Sequence, residues 1–304
     1  MSLRNKLRYS LAYRLHDFWV DHYPKFLIDT IWEQQFGHRV DWRYPRDLNE
    51  CIEWLICHSD LDVWAKLSDK VLVREYIKEK GYGDSLTKLY GTWEDARDID
   101  FDLLPDKFVL KCNHDSGSVI IVDGKDSIDK DKVVTELNRH LKTKFGYRGC
   151  EPHYNKIKPL VMAEEWLPLN QNVDSSSQID YKFWCFNGHV HNCFVCYNRN
   201  LKTHEAVFDN YDIEPWRPNR SALSNDRQQQ HFITLPPPIN LDRMLKMASD
   251  LSVGIPEVRV DLYNIKGRIF FGELTFTSAE GRMGYFSDDY LCELGKQVDL
   301  SLAK

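Results

Sequence analysis

No apolar run in this 304-residue sequence approaches the ~20 residues that a membrane-spanning helix needs. Positive charge is also scarce. Forty Lys and Arg against 46 Asp and Glu give a formal charge of −6, which lacks the basic footprint of general nucleic-acid binding. The opening Met1-Ser2-Leu3-Arg4-Asn5-Lys6-Leu7-Arg8 has neither the apolar core nor the small-residue cleavage site of a signal peptide. Cytoplasmic residence is the expectation, with the eight cysteines as reduced thiols. A Gly-x-x-x-x-Gly-Lys-Ser/Thr phosphate loop is missing, as is a Gly-x-Gly-x-x-Gly after a first strand, so neither a Walker ATPase nor a Rossmann fold is expected. No Cys-His or Ser-His-Asp arrangement offers a covalent nucleophile. One Cys/His cluster is present: Cys185, His189, His191, Cys193 and Cys196. It falls on an expected hairpin turning at Asn187-Gly188, where residues three apart point to opposite faces. Cys193 and Cys196 therefore share a metal poorly, no second pair has zinc spacing, and zinc is not expected.

What is present is an ordinary globular composition, 42% hydrophobic and 28% charged, long enough for two lobes. Residues 1 to about 36 carry Leu3, Leu7, Leu11, Leu15 and Phe18 at helical spacing. Their first sixteen positions hold Arg4, Lys6, Arg8 and Arg14 and no acid. Such a stretch either lies on an anionic membrane surface or packs on its own domain. A helix is expected from Asn49, and another opening at Ser68 or Asp69 and ending near Gly81. Phe108–Cys112 and Val119–Val122 read as strands around the loop Asn113-His114-Asp115-Ser116-Gly117-Ser118. Residues 129–143 read as helical, and Leu160–Leu167 as a strand. Residues 170–178 read as a mobile loop, and 198–238 as long and irregular, the kind of segment that often carries function. Asn240 opens a helix through Leu251.

Two features carry chemistry. Lys111 ends a buried strand before a small-residue loop, an arrangement that lets backbone N–H groups approach an anion; many plain hairpins end the same way. Near the C-terminus, Arg259-Val260-Asp261 and Glu273-Leu274-Thr275 flank a turn read as the three-residue loop Ile265-Lys266-Gly267. That loop sets Asp261 opposite Phe271 and Arg259 opposite Glu273. Alternation then puts Arg259, Asp261, Glu273 and Thr275 on one face. Two acids that close call for a cation. Either they hold Mg²⁺ through hard oxygen ligands, or the face is solvated and carries an ordinary Arg–Glu pair.

In order, the parts run Lys70, Lys111 with its loop, Glu164-Glu165-Trp166-Leu167, Asp180-Tyr181-Lys182, and the Arg259/Asp261/Glu273 hairpin. In this order, across residues 45–300, the chain resembles the ATP-grasp superfamily, in particular its TupA-like (teichuronopeptide-biosynthesis-type) amidoligase branch. The resemblance implies an α+β fold: two α+β lobes gripping ATP, after a helical N-terminal region. It implies a helical region at 1–66, a small lobe at 67–162 and a large lobe at 163–304. Lys70 and Lys111 would meet ATP phosphates, with Asn113, His114, Ser116, Gly117 and Ser118 closing over them. Glu164, Glu165, Trp166 and Leu167 would form the hinge at adenine, Asp180 would reach the ribose, and Lys182 would lie near the phosphates. Asp261, Glu273 and Thr275 would hold Mg²⁺, with Thr standing where the wider superfamily commonly has Asn. Arg259 would steady the transferring phosphoryl or acyl-phosphate, making Arg259, Lys182 and Lys111 the catalytic set.

The implied reaction joins an amino acid or other amine to a carboxylate, that of a uronic acid in a surface polysaccharide or its precursor. It yields ADP and phosphate. A phosphotransferase acting on a sugar hydroxyl and a non-catalytic glycan-assembly protein are the alternatives. A lipid-linked glycan would give the basic N-terminal stretch a reason to touch the inner membrane surface. His114 reads equally as polar lining or as structural, and Arg199 and Arg220 as candidate holders of an acidic substrate.

Overall fold

Sheet hydrogen bonding divides the chain into two antiparallel sheets, each with its own apolar core. The computed structural model describes residues 15–168, 175–200, 203 and 205–303. Within that range the fold is mixed helix and sheet.

Helices come first. A helical stretch over 15–22 breaks at Tyr23, and α1 (Pro24–Phe36) restarts with proline in its first turn, where a missing N–H costs nothing. The single helix expected over 1–36 is thus two segments, and residues 1–14 lie outside the described residues. α2 (Leu48–His58) is capped by Asp47, whose carboxylate accepts from Glu50 N–H, rather than by Asn49. Asn49 is instead buried and brackets the Met283 backbone, donating to its carbonyl and accepting from its N–H. α3 (Leu61–Ser68) ends where the next helix was expected to begin. Asp69 accepts from the N–H groups of Val71 and Leu72, and α4 (Val73–Glu79) follows.

The smaller sheet runs β1 (Leu89–Trp93), β4 (Val161–Glu165), β2 (Lys107–Cys112), β3 (Ile120–Asp123). On β2, Phe108, Leu110 and Cys112 are buried while Lys107, Val109 and Lys111 alternate to the other face. Val133 and Leu137 of α5 (Lys130–Leu141) close this core. β4 pairs with both β1 and β2, so the lobe boundary expected at 162/163 falls inside a strand that belongs whole to this sheet.

The larger sheet runs β10 (Arg268–Thr275), β9 (Val258–Ile265), β5 (Asp180–Phe186), β6 (His189–Tyr197), β7 (Val207–Asp212), β8 (Arg217–Pro218). Met244, Met247, Ala248 and Leu251 of α7 (Leu241–Ser252) are the buried face of the helix that covers β5, β6 and β9. The segment 198–238, expected to be irregular, supplies β7 and β8. The β5–β6 hairpin turns as expected at Asn187-Gly188, both at positive φ.

The β9–β10 hairpin corrects the expected register. Its loop has two residues, Lys266 (φ 53°) and Gly267 (φ 88°), not three, so Arg268 pairs with Ile265. A bulge at Gly272 then shifts the ladder. Glu273 lies opposite Asp261, and Thr275 opposite Arg259. Glycine is needed at the bulge because a Cβ there would sit 2.9 Å from the Asp261 carbonyl oxygen.

Candidate active site

On the larger sheet, Asp261 sits on a central strand with Lys182 as its β5 neighbour and Glu273 as its β10 neighbour. Its carboxylate is buried and fully engaged. Arg259 donates from Nε to Oδ1 at 2.7 Å and from one terminal nitrogen to Oδ2 at 2.8 Å, and Lys182 pairs with Oδ2. The same Arg259 nitrogen reaches Glu273 Oε1 at 3.3 Å and Thr275 Oγ1 at 3.1 Å, and the other terminal nitrogen donates to Ser278 Oγ at 3.1 Å. The Trp184 ring lies 5.7 Å from this guanidinium. The four side chains expected on one face are together, and the solvated-face alternative is excluded. Arg259 is 12% exposed at its side chain and Asp261 4%.

Electrostatics follow from that burial. Desolvation pushes the Asp261 carboxyl up, but Arg259 and Lys182 outweigh it and hold it below the usual range. Lys182 is raised despite burial, by Asp180 and Asp261.

The cation among Asp261, Glu273 and Thr275 is the Arg259 guanidinium, and neither Asp261 oxygen is free of it and Lys182. Among the described residues, no three His, Cys, Asp or Glu side chains are placed to hold a metal. The donor chemistry nonetheless fits a hard ion of the magnesium kind. Such an ion takes one or two carboxylates and completes its shell with phosphate oxygens and water, and Glu273 is the most exposed acid of the group, its side chain 38% accessible.

Facing this platform is the smaller sheet. Lys111 forms an ion pair with Glu164, which also accepts from Thr87 Oγ1 at 2.9 Å. Burial raises the Glu164 carboxyl, but Lys111 prevails and lowers it. The expected adenine-hinge residue therefore already engages the expected phosphate lysine. Beyond it, Glu165 accepts from Lys88 N–H at 3.1 Å, the Lys107 ammonium sits 5.1 Å over Trp166, and the Leu167 carbonyl accepts from Gln178 at 3.0 Å.

Lys70, in the turn between α3 and α4, donates from Nζ to the Asp115 carbonyl at 2.8 Å. Burial lowers its pKa, Glu273 and Asp115 oppose the shift, and Lys111 adds to it. Charges from both sheets thus act on Lys70, which its contact with the Asp115 carbonyl holds beside the 113–118 loop.

The 113–118 loop is built rather than loose. Asn113 is an anchor and not a phosphate contact: its amide donates to Asp69 at 2.9 Å and to the Lys158 carbonyl at 3.0 Å, and it accepts from Leu160 N–H at 2.7 Å. Cys112 N–H donates to Ser118 Oγ at 2.8 Å, and Ser118 donates to Asp115 at 2.5 Å. Two histidines cross between this loop and the end of α5. His114 Nε2 donates to the Thr143 carbonyl at 3.2 Å, and His140 Nδ1 donates to Asp115 Oδ2 at 2.6 Å. Burial lowers the His114 pKa, which favours the neutral ring. The tip, Ser116 and Gly117, stays exposed, with Gly117 at φ 95°.

Asp180 accepts from Arg199 at 2.8 Å, and Arg220 pairs with buried Asp209 at 3.1 Å. Both arginines are thus already paired. Sequence reasoning missed Asp115, His140, Ser278 and Tyr154. The half-buried Tyr154 hydroxyl is pushed up by burial and then by the charges of Glu151 and Glu273. No local pattern marks these residues, because the contacts of Ser278 with Arg259 and of Asp115 with His140 span 19 and 25 positions.

A cleft with lysines and an anchored small-residue loop on one wall, and an Arg–Asp–Glu platform on the other, defines the ATP-grasp class. The chain belongs to the TupA-like ATP-grasp family, whose model matches residues 50–299. No curated protein matches it by sequence. Among solved structures it is similar to the D-alanine–D-alanine ligase of Bacillus anthracis complexed with ATP, at 14% identity, 81% of this chain, 69% of that one and a TM-score of 0.43. The Helicobacter pylori D-alanine–D-alanine ligase gives 12%, 84%, 70% and 0.43. The L-amino acid ligase of Bacillus licheniformis gives 14%, 71%, 44% and 0.42. Family membership rests on the family model, not on these distant likenesses.

Proposed function

We propose that the protein is an ATP-dependent ligase that activates a carboxylate as its acyl-phosphate and passes the acyl group to an amine. The observation that carries this reading is the convergence of Arg259, Lys182, Asp261, Glu273 and Thr275 on one platform, with Lys70 held on the Asp115 carbonyl and Lys111 on Glu164. Phosphoryl transfer asks a protein mainly for positioning and for positive charge around the transferring oxygens. Lys70, Lys111, Lys182 and Arg259 supply four cations, and the N–H groups of Ser116 and Gly117 lie at the loop tip. Glu273, the accessible acid of the group, is the first residue that would hold Mg²⁺, with Asp261 and Thr275 beside it, and the ion would spread phosphate charge. Asp180 with Arg199 lies beside Lys182 at the ribose end in this reading, and Glu164 through Leu167 form the adenine edge.

The substrate carboxylate attacks the γ-phosphate, ADP leaves, and the amine then attacks the acyl carbon and expels phosphate. Arg259, the most connected donor on the platform, steadies the oxyanion. The acyl donor is a uronic acid of a surface polysaccharide or its precursor, and the amine is an amino acid. Selection between candidates falls in this reading to segments 145–158 and 198–238.

An ADP-release screen of the purified protein, with amino acids offered against uronic-acid glycosides, tests this directly. The expected product is the two partners less one water, by mass spectrometry. A phosphorylated sugar hydroxyl would make the protein a phosphotransferase, and absence of ATP turnover with every pair would make it a binding protein.

The loop anchors give a separate prediction. His140→Ala frees Asp115 and loosens the 113–118 loop, so the KM for ATP rises about tenfold while kcat changes little. That magnitude is typical of outer-shell positioning partners. Steady-state kinetics at varied ATP check it; an unchanged KM would mean that the His140–Asp115 contact has no part in nucleotide binding.

A further inference from the structure

Just after β10 the chain makes a turn that its residue types do not favour. Ala279 (φ 49°, ψ 42°) and Glu280 (φ 58°, ψ 29°) are left-handed without being glycine, and Gly281 (φ 72°) continues the run. Backbone of this kind is strained for a residue with a Cβ. It persists only where the surroundings over-determine it, and it gathers at functional sites.

Anchors hold this turn from both ends. Before it, buried Thr277 donates its hydroxyl to buried Glu151. After it, Arg282 donates to Glu53 of α2 at 2.9 Å, to Glu280 at 2.7 Å and to the Gly149 carbonyl at 3.3 Å. Glu280 lies so close over Gly149 that a Cβ there would sit 2.5 Å from its Cγ. The next residue, Met283, is bracketed by Asn49. Between these anchors stands Ser278, itself buried, whose hydroxyl accepts from a terminal nitrogen of Arg259 at 3.1 Å.

The remaining contacts of that guanidinium lie within the hairpin. Nε and the other terminal nitrogen serve Asp261, Glu273 and Thr275, all on β9 or β10. Asp261 is only two positions along the same strand, so its grip moves with the strand. Ser278 instead ties the guanidinium to a turn fastened to α2 and to residues 149–151. We propose that the strained turn 278–281 is a positioning device for Arg259, in which Ser278 sets the guanidinium and Glu151, acting through Thr277, holds Ser278 in place. Neither Ser278 nor Glu151 is asked to touch a reacting atom. The kinetic consequence rests on the ligase reading, in which Arg259 must stay aimed at the transferring group; small misplacements of such a residue are costly.

Conservative variants of the full chain test this. Thr277→Val removes the hydroxyl at nearly constant volume, and Ser278→Ala removes the contact with Arg259. Each is expected to lower kcat about tenfold while the KM for ATP stays within about twofold. The double variant should lose no more than either single one, because both act through the same contact; two unrelated structural defects would multiply to about a hundredfold. Glu151→Gln keeps an oxygen that can accept from Thr277 and should retain most of the rate. The Nε–H resonance of Arg259, assigned by its loss in Arg259→Lys, reads the same placement without turnover. It should shift in Thr277→Val and stay in place in Glu151→Gln. Multiplying losses, or a resonance that Thr277→Val leaves unmoved, would overturn the proposal, and a Glu151→Gln as impaired as Thr277→Val would remove Glu151 from it. If the unmodified protein turns over no ATP, the ligase reading fails and the resonance alone decides whether the turn positions Arg259.

Discussion

Arg259→Ala is expected to lower ATP turnover by about 10³-fold, the scale reported for losing a preorganised donor or an arginine that stabilises transferring phosphate. Among the described residues, Arg259 is the side chain that touches Asp261, Glu273, Thr275 and Ser278 together. Its removal deletes a charge at the reacting centre and also releases the carboxylates it spaces apart. Asp261 keeps Lys182, so the strand pairing survives and the variant should fold. Arg259→Lys separates charge from geometry. A lysine restores the positive charge but not the two-pronged contact with Asp261, so it should recover little of the lost rate. Turnover of Arg259→Lys close to that of the unmodified protein would show that only a cation is required and would remove the argument from the guanidinium fork.

The hairpin that carries this residue was legible in sequence because period-two alternation assigns faces without any knowledge of tertiary structure. Register was not legible. A two-residue turn at Lys266-Gly267 and a bulge at Gly272 shift the pairing and leave the facing unchanged. Arg259, Asp261, Glu273 and Thr275 were thus found together although their partners were misassigned. β7 escaped for a different reason. Asp209 and Asn210 are fully buried within it, matched by Arg220 and Asn192. A strand that buries paired polar groups does not show the apolar alternation by which strands are read. Likewise Asn113 looked like a phosphate contact from its place beside the loop, but its amide is spent on Asp69, Lys158 and Leu160. Which polar groups are already satisfied is a property of long-range packing.

The same long-range logic governs the largest stability effect expected. Glu53 on α2 is fully buried and paired with Arg282 at 2.9 Å, a contact joining the N-terminal helices to the loop after β10. Burial outweighs the arginine and pushes the Glu53 carboxyl up from 4.5 to about 8. The folded state thus binds a proton that the unfolded chain releases. The stability this contributes is fully present below pH 4.5 and is lost as pH rises through about 8. Glu151, raised by burial to about 7, acts in the same direction. Chemical denaturation should therefore find the protein less stable at pH 8 than at pH 5.5. Arg282→Ala should cost about 1–3 kcal/mol at pH 8, because buried acceptors lose their donor and the roughly half of Glu53 that is ionised loses its counter-charge. The cost should be smaller at pH 5.5, where Glu53 holds its proton with or without the arginine. Glu53→Gln keeps the shape and removes the charge. In the Arg282→Ala background it should restore most of the stability lost at pH 8 and flatten the difference between the two pH values. A cost of Arg282→Ala that is the same at both pH values would mean that the buried charge of Glu53 is not what Arg282 compensates. The loss would then belong to its remaining contacts with Glu280 and the Gly149 carbonyl.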